Sequence, residues 1–349
     1  MTTSASNKEE KESDRQWLRK CSLLVGKGSD GLELGDMRIV FKTTKGDIET
    51  PNSAEIAVYN LSETTSSKIR KEFTRVVLQA GYQDNCAVIF DGTIRQVRRF
   101  RENGTDVCTA ILAADGDAAY NYAVVNTTLA AGSTSAEHVG ACQKAFSGKG
   151  ADTGYIPDMA GPALPRGKVM YGMARKYMRD TAKQTGTSWS IQDGKVQMIP
   201  VRGYLPGEAV VLTAETGLVG APEQTNDGIK VRCLLNPRLR IGGRIKLDNA
   251  SVKEMKTELK MNANLYGKPK LDNDGLYRII KCEFTGDTRG NDWYADLVCI
   301  GIDDTMHLPL DSYDRQTRTT RRSRGVPARG SRRTPGRDLD GAPRYRPIL

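Results

Sequence analysis

From Trp17 the first third of the chain is a series of short apolar or β-branched runs broken by polar turns. Runs at Cys21–Val25, Met37–Thr43 and Ile56–Tyr59 are separated by Gly and Asp/Asn turns, the pattern of half-buried strands. Ala54, Ile56 and Val58 alternate with Glu55, Ala57 and Tyr59, which turns one face of that strand inward. Further runs at Arg75–Ala80, Ala87–Phe90, Thr93–Phe100 and Asp106–Ala113 are punctuated by Gln83-Asp84-Asn85, Asp91-Gly92 and Glu102-Asn103-Gly104. A helix over Ser62–Phe73 interrupts them, with Ser62 as N-cap and Ile69 and Phe73 one turn apart. One helix among so many strands predicts a small β-barrel or sandwich over residues 17–116.

The period changes near Asp117. Thr134-Ser-Ala-Glu137 is a capping box, followed by Val139, Cys142 and Phe146 at helical spacing. Beyond a Gly/Pro-rich loop, Met170, Met173, Ala174, Tyr177, Met178, Thr181 and Ala182 share one helical face, and Gly186 is placed to end that helix. The methionines read as core filling. Asp193-Gly194 then joins Ser188–Gln192 to Lys195–Ile199, the dipeptide that a type I′ hairpin prefers. Residues 117–204 thus predict an α+β insert. Strand patterns resume at Ala209–Thr213, Ile229–Leu235, Arg244–Asp248, Leu276–Thr285 and Trp293–Ile302, predicting a second β domain over 205–310. The expected fold class is mainly β: two tube-like β-barrel domains flanking the insert, with disordered segments at 1–16 and 311–349.

Composition refines this picture in one respect. Of the net charge of +10, +8 belongs to the stretch from Asp314 to Leu349, with eleven Arg and three Asp, so the folded body is nearly neutral. The seven cysteines are scattered through apolar segments without a C-x-x-C pair, which suits synthesis in a reducing cytoplasm. The N-terminal Met1–Glu12 lacks an apolar h-region, and no apolar run approaches the ~20 residues of a membrane-spanning helix.

Candidate chemistry is sparse. Gly26-Lys-Gly28-Ser-Asp-Gly31 matches a dinucleotide fingerprint, but Gly35 stands where the phosphate-binding helix should run. A hairpin turn is expected there. Only His138 and His307 can serve a nucleophile pair, and both read as surface or interface residues without a partner motif. Asp272-Asn-Asp-Gly275 lacks the alternating ligands of a calcium loop and reads as a turn. No catalytic residue, cofactor or metal is expected.

The arginines Arg315, Arg318, Arg321, Arg322, Arg324, Arg329, Arg332 and Arg333 fall within nineteen positions and are the candidate partner-binding residues. Phosphate contacts suggest nucleic acid, while the scarcity of aromatic residues for base stacking argues against it. An acidic groove on a neighbouring protein fits equally well, and so does a solvated end.

Several segments together resemble baseplate hub proteins of contractile-tailed bacteriophages. They are Asn52-Ser-Ala-Glu-Ile-Ala-Val-Tyr-Asn-Leu-Ser62, Val77-Leu-Gln-Ala-Gly-Tyr82, Ile89-Phe-Asp-Gly-Thr-Ile94 and Ala113-Ala-Asp-Gly-Asp117 in the first β region. Gly228-Ile-Lys-Val-Arg-Cys-Leu-Leu-Asn-Pro237, Gly275-Leu-Tyr-Arg-Ile279 and Gly286–Tyr294 continue the resemblance in the second. It covers about residues 17–305 and implies a structural, non-enzymatic homotrimer. Three chains with two tube-like domains each would form a pseudo-sixfold ring between the hexameric tail tube and a trimeric spike. The resemblance further implies tail tube, central spike, baseplate wedge and tape measure proteins as partners, a lumen that genomic DNA crosses without specific binding, and a place in the virion. The Arg-rich tail lies outside the resemblance. Two other readings stay open: nucleic-acid binding through that tail, and a cell-wall hydrolase of the particle.

Overall fold

The computed structural model describes residues 16–302, except 29, 103, 160, 162, 226–227, 249–251 and 253–273. The expectations for the segments 1–15 and 311–349, for His307 and for Asp272-Asn273 lie outside the described residues.

The first strand region contains β1 (Arg19–Lys27), β2 (Asp30–Glu33), β3 (Ile39–Gly46), β4 (Ser53–Tyr59), helix α1 (Glu63–Glu72), β5 (Arg75–Tyr82), β6 (Asn85–Arg101) and β7 (Val107–Ala114). The glycine-rich decoy is indeed a hairpin. β1 pairs with β2 from Leu24–Glu33 to Lys27–Asp30, and Gly28 turns the chain at φ 62°, where a side chain would be strained. Ser62 caps α1 by accepting from the Thr65 amide at 3.1 Å.

One expected turn is absent. Asp91-Gly92 lies inside the continuous strand β6, which pairs with β5 up to Thr93 and with β7 from Thr93 onward. Asp91 anchors Arg75 of the neighbouring strand by two bonds, at 2.8 and 2.5 Å. Gly92 is required by space rather than by φ: a Cβ there would meet the Ala114 carbonyl and the Phe90 ring, both at 2.8 Å.

The insert runs through α2 (Asp117–Tyr122), β8 (Val124–Leu129), α3 (Ser135–Ser147), β9 (Asp152–Thr153), β10 (Lys168–Met173), α4 (Ala174–Thr185), β11 (Thr187–Gln192) and β12 (Lys195–Pro200). The Thr134/Glu137 capping box opens α3. Gly186 closes α4 in the left-handed conformation, at φ 62° and ψ 37°. Met170 and Met173 depart from the expected helix, however. They belong to β10, whose pairing with β8 keeps the backbone extended until Met173. Met170 still packs in the insert core, beside Met178 and Phe146. The turn between β11 and β12 has φ 51° at Asp193 and 75° at Gly194, as a type I′ turn demands.

The second strand region contains β13 (Val210–Val211), β14 (Glu223–Thr225), β15 (Gly228–Leu234), β16 (Arg244–Lys246), β17 (Leu276–Asp287) and β18 (Trp293–Gly301). It repeats a pairing order found in the first. β3-β4-β7-β6-β5 is matched by β14-β15-β18-β17-β16, in the same order along the chain. Both long strands carry a bulge in the same place, between Ile94 and Gln96 on β6 and between Ile279 and Lys281 on β17. The Ile94 amide donates to the Thr74 carbonyl, and the Ile279 amide to Gly243. Likewise Asn60 donates to Val107, and Leu235 to Trp293. The repeat loosens at its outer strand, where β1 is antiparallel to β5 but β13 is parallel to β16.

These strands form one 13-stranded sheet, and a shared buried cluster contains Leu23, Phe41, Ile56 and Leu78 together with Val231, Ile245, Tyr277 and Trp293. A second cluster, including Val139, Phe146, Met178, Trp189 and Met198, belongs to the insert.

Candidate functional site

Two contact regions organise the molecule: a joint between the strand regions, and a seat where the insert meets both. The joint is made by β17. Its first residues pair with β16, and its continuation from Lys281 to Asp287 pairs with β3 from Gly46 to Val40. Side chains reinforce this seam. Lys42 Nζ lies 3.5 Å from the Glu283 carboxylate, and Arg38 holds Asp287 at 2.8 Å. That guanidinium keeps the Asp287 carboxyl below the usual carboxylate range, and the Lys281 ammonium does the same to Glu283. Beneath the seam, Phe41 meets Trp293 edge to face, with ring centroids 5.5 Å apart, an arrangement worth ~0.5–1.5 kcal/mol beyond its buried area. Gly286 leaves the room these rings occupy: a Cβ would stand 2.9 Å from the Trp293 ring and closer still to Phe41.

The seat is polar and buried. Arg278 of β17 pairs with Asp47, which follows β3, and donates to the Pro200, Val201 and Gly203 carbonyls at 2.7–3.1 Å. Ser188 of β11 donates to the same Asp47 carboxylate at 2.7 Å. One guanidinium thereby ties together both strand regions and the insert. Beside it, Asp115 accepts the amides of Asp193 and Gly194 at 2.6 and 2.8 Å. Burial, helped by the Asp193 charge, pushes its carboxyl up to about 6. Lys45 pairs with Asp193 at 2.6 Å, and Asn52 donates to the Ile191 carbonyl at 2.9 Å. Arg179 and Glu49 close the outer margin at 2.7 Å.

The candidate partner-binding arginines, Arg315 to Arg333, lie outside the described residues. His138 does not lie on the surface as expected. It is 3% exposed, because the first turn of α3 packs inward. Its Nε2 is 3.4 Å from Ser133 Oγ, while Nδ1 has no orienting acid among the described residues, unlike a nucleophile triad. Burial pushes the Cys142 and Cys233 thiols up to about 12, which keeps them in the weakly nucleophilic protonated form. No cluster of three or more His, Cys, Asp or Glu suited to a metal occurs among the described residues. Nor is any described helix long and apolar enough to cross a membrane.

The sequence pattern did not reveal the seat. Asp193-Gly194 announced the turn, but Asp115, which holds its amides, is 78 positions away. Among the described residues, Arg278, Asp47 and Asp115 thus join segments far apart in sequence, the polar links of a sheet-built protein.

The fold is that of known tail proteins. The 43 kDa tail protein of prophage MuSo2 from Shewanella oneidensis aligns with TM-score 0.52 at 8% identity, covering 83% of this chain and 99% of that one. A tail protein from Neisseria meningitidis MC58 gives 0.51 at 9%, covering 83% and 98%. The Escherichia coli c3393 protein, described as a type VI secretion component with structural similarity to the T4 bacteriophage tail proteins gp27 and gp5, gives 0.52 at 9%, covering 82% and 78%. No curated protein sequence matches the chain significantly. The family model "Baseplate hub gp41" matches residues 25–253. The chain belongs to this baseplate hub family and is a structural component of the phage tail.

Proposed function

We propose that this chain is the ring-forming adapter of a contractile tail baseplate. Three copies close a ring, each supplying two tube-like units, residues 17–116 and 205–310, around an axial channel that genomic DNA crosses. The six units abut the sixfold tail tube, and the threefold remainder of the ring seats a trimeric spike. Baseplate wedge and tape measure proteins complete its surroundings. The Arg-rich stretch from Arg315 to Arg333 is proposed to engage a partner of this assembly.

The observation that carries this reading is the repeated strand order. β3-β4-β7-β6-β5 and β14-β15-β18-β17-β16 occur in one polypeptide, and three identical chains can present six similar units only if each chain carries two. Closed rings use heterologous interfaces, in which one patch meets a different patch on the neighbour. The joint between β17 and β3 is such a contact already built within the chain.

Light scattering on the purified chain tests the proposal. A mass of three chains is expected, and electron microscopy of that species should show six lobes around a hole. A compact dimer or an open filament would refute the ring.

A further inference from the structure

The internal repeat predicts how one copy meets the next. Strand registers give residue equivalences across the two regions. Ala113 of β7 faces Ile94 and Ala54, just as Cys299 of β18 faces Ile279 and Ile229. One strand further out, Ala54 faces Thr43, and Ile229 faces Gln224. Lys42 therefore corresponds to Glu223, Glu55 to Lys230 and Arg98 to Glu283.

In each of these three correspondences the charge is inverted. In the first region Lys42 lies opposite Glu55 on β4 and is ion-paired with Glu283 of β17 across the joint. In the second, Glu223 lies opposite Lys230 on β15. The position corresponding to Glu283 is Arg98, on the far half of β6. Arg98 and Glu223 are exposed. Each sits on an outer edge among the described residues: β6 beyond Thr93 pairs only with β7, and β14 pairs only with β15.

We infer that Arg98 on β6 of one copy pairs with Glu223 on β14 of the next, a charge-reversed replica of the internal Lys42–Glu283 seam. Transferring the internal register, in which Thr285 faces Lys42 and Glu283 faces Thr44, places Phe100 opposite Glu223 and Arg98 opposite Thr225. Phe100 is 46% exposed in the single chain, and this seam would cover it.

The inversion also acts as a code. Wrong seams bring like charges together, Arg98 against Lys42 or Glu283 against Glu223, and like charges across an interface suppress the wrong pairing. First and second regions are thus forced to alternate. An exposed free edge such as β6 invites unspecific strand addition, and charge on that edge restricts what can add.

The inference rests on the ring reading for its second copy, so the test separates the two. Arg98→Glu and Glu223→Arg, each alone, are expected to weaken self-association of the full-length chain ~10-fold per seam or more, by replacing attraction with repulsion. The double variant is expected to restore it, because the swapped pair is again complementary. Both sites are exposed, so thermal unfolding of the variants should match that of the wild type. As a second measurement, Phe100→Cys combined with Glu223→Cys should cross-link neighbouring chains on mild oxidation, while Gln96→Cys with Glu223→Cys should not. A wild-type ring whose single variants assemble normally and whose matched cysteines fail to cross-link overturns this seam and leaves the ring standing. A wild-type chain that stays monomeric at the highest concentration reached overturns both.

Discussion

Arg278 and Asp47 form an ion pair whose side chains are only 4% and 5% exposed. A carboxylate from the first strand region is thereby neutralised by a guanidinium from the second, and the same guanidinium satisfies three carbonyls leaving the insert. Removing one partner of a buried pair leaves an uncompensated charge, which costs ~3–5 kcal/mol. Arg278→Met is accordingly expected to lower the unfolding free energy by about that amount in a denaturant titration. Asp47→Asn should cost less, since an amide carbonyl still accepts from the guanidinium. Equal losses would mean that the charge pairing with Asp47, rather than the carbonyl contacts that Arg278 keeps in Asp47→Asn, holds the seat.

Asp115 makes stability depend on pH. Its folded pKa of about 6 lies above the ordinary 3.8, so the folded chain holds the proton more tightly than the unfolded chain. The contribution is complete below about 3.8 and is lost as pH rises through about 6, a change of ~3 kcal/mol across the window. In Asp115→Asn this component of the slope should vanish. Parallel curves of unfolding free energy against pH for the two proteins would contradict the assignment.

Gly286→Ala tests the joint. The added methyl would press on Phe41 and Trp293, and overpacking of this kind costs ~1–3 kcal/mol. Hydrogen exchange should then quicken at the amides of β3 and at Lys281–Asp287, while those of β11 and β12 keep their protection. Uniform quickening through the insert would show that the joint is not a separate unit of stability.

Thr134→Ala removes the cap of α3, whose hydroxyl accepts from the Glu137 amide at 3.4 Å. A loss of ~1 kcal/mol is expected, with Thr134→Ser near wild type in thermal unfolding. A cost above that of Arg278→Met would show that this helix end carries more than its own cap.

Local signals in the sequence were readable where the structure is local. The Ser62 and Thr134 caps, the Gly186 stop and the Asp193-Gly194 turn depend on residues within a few positions of one another. Met170 misled because a strand and a helix abut at Met173 without a loop, so one apolar face runs through both. Asp91-Gly92 misled because a glycine needed for space resembles a glycine needed for a turn. The seam between β17 and β3 joins segments more than 230 positions apart, as the separations of 249 for Arg38–Asp287 and 231 for Arg278–Asp47 show. No short-range pattern encodes such a contact. The inverted charges of Lys42, Glu55, Glu223 and Lys230 were present in the sequence, but without a register they read as ordinary surface residues.

The way β17 divides its length between two neighbours has a mechanical meaning. It overlaps β16 with its first residues and β3 with its last seven, as planks are lapped rather than butted. A load that slides one strand region along the other must break those last seven pairings together instead of one after another, so the overlap resists shear as a whole.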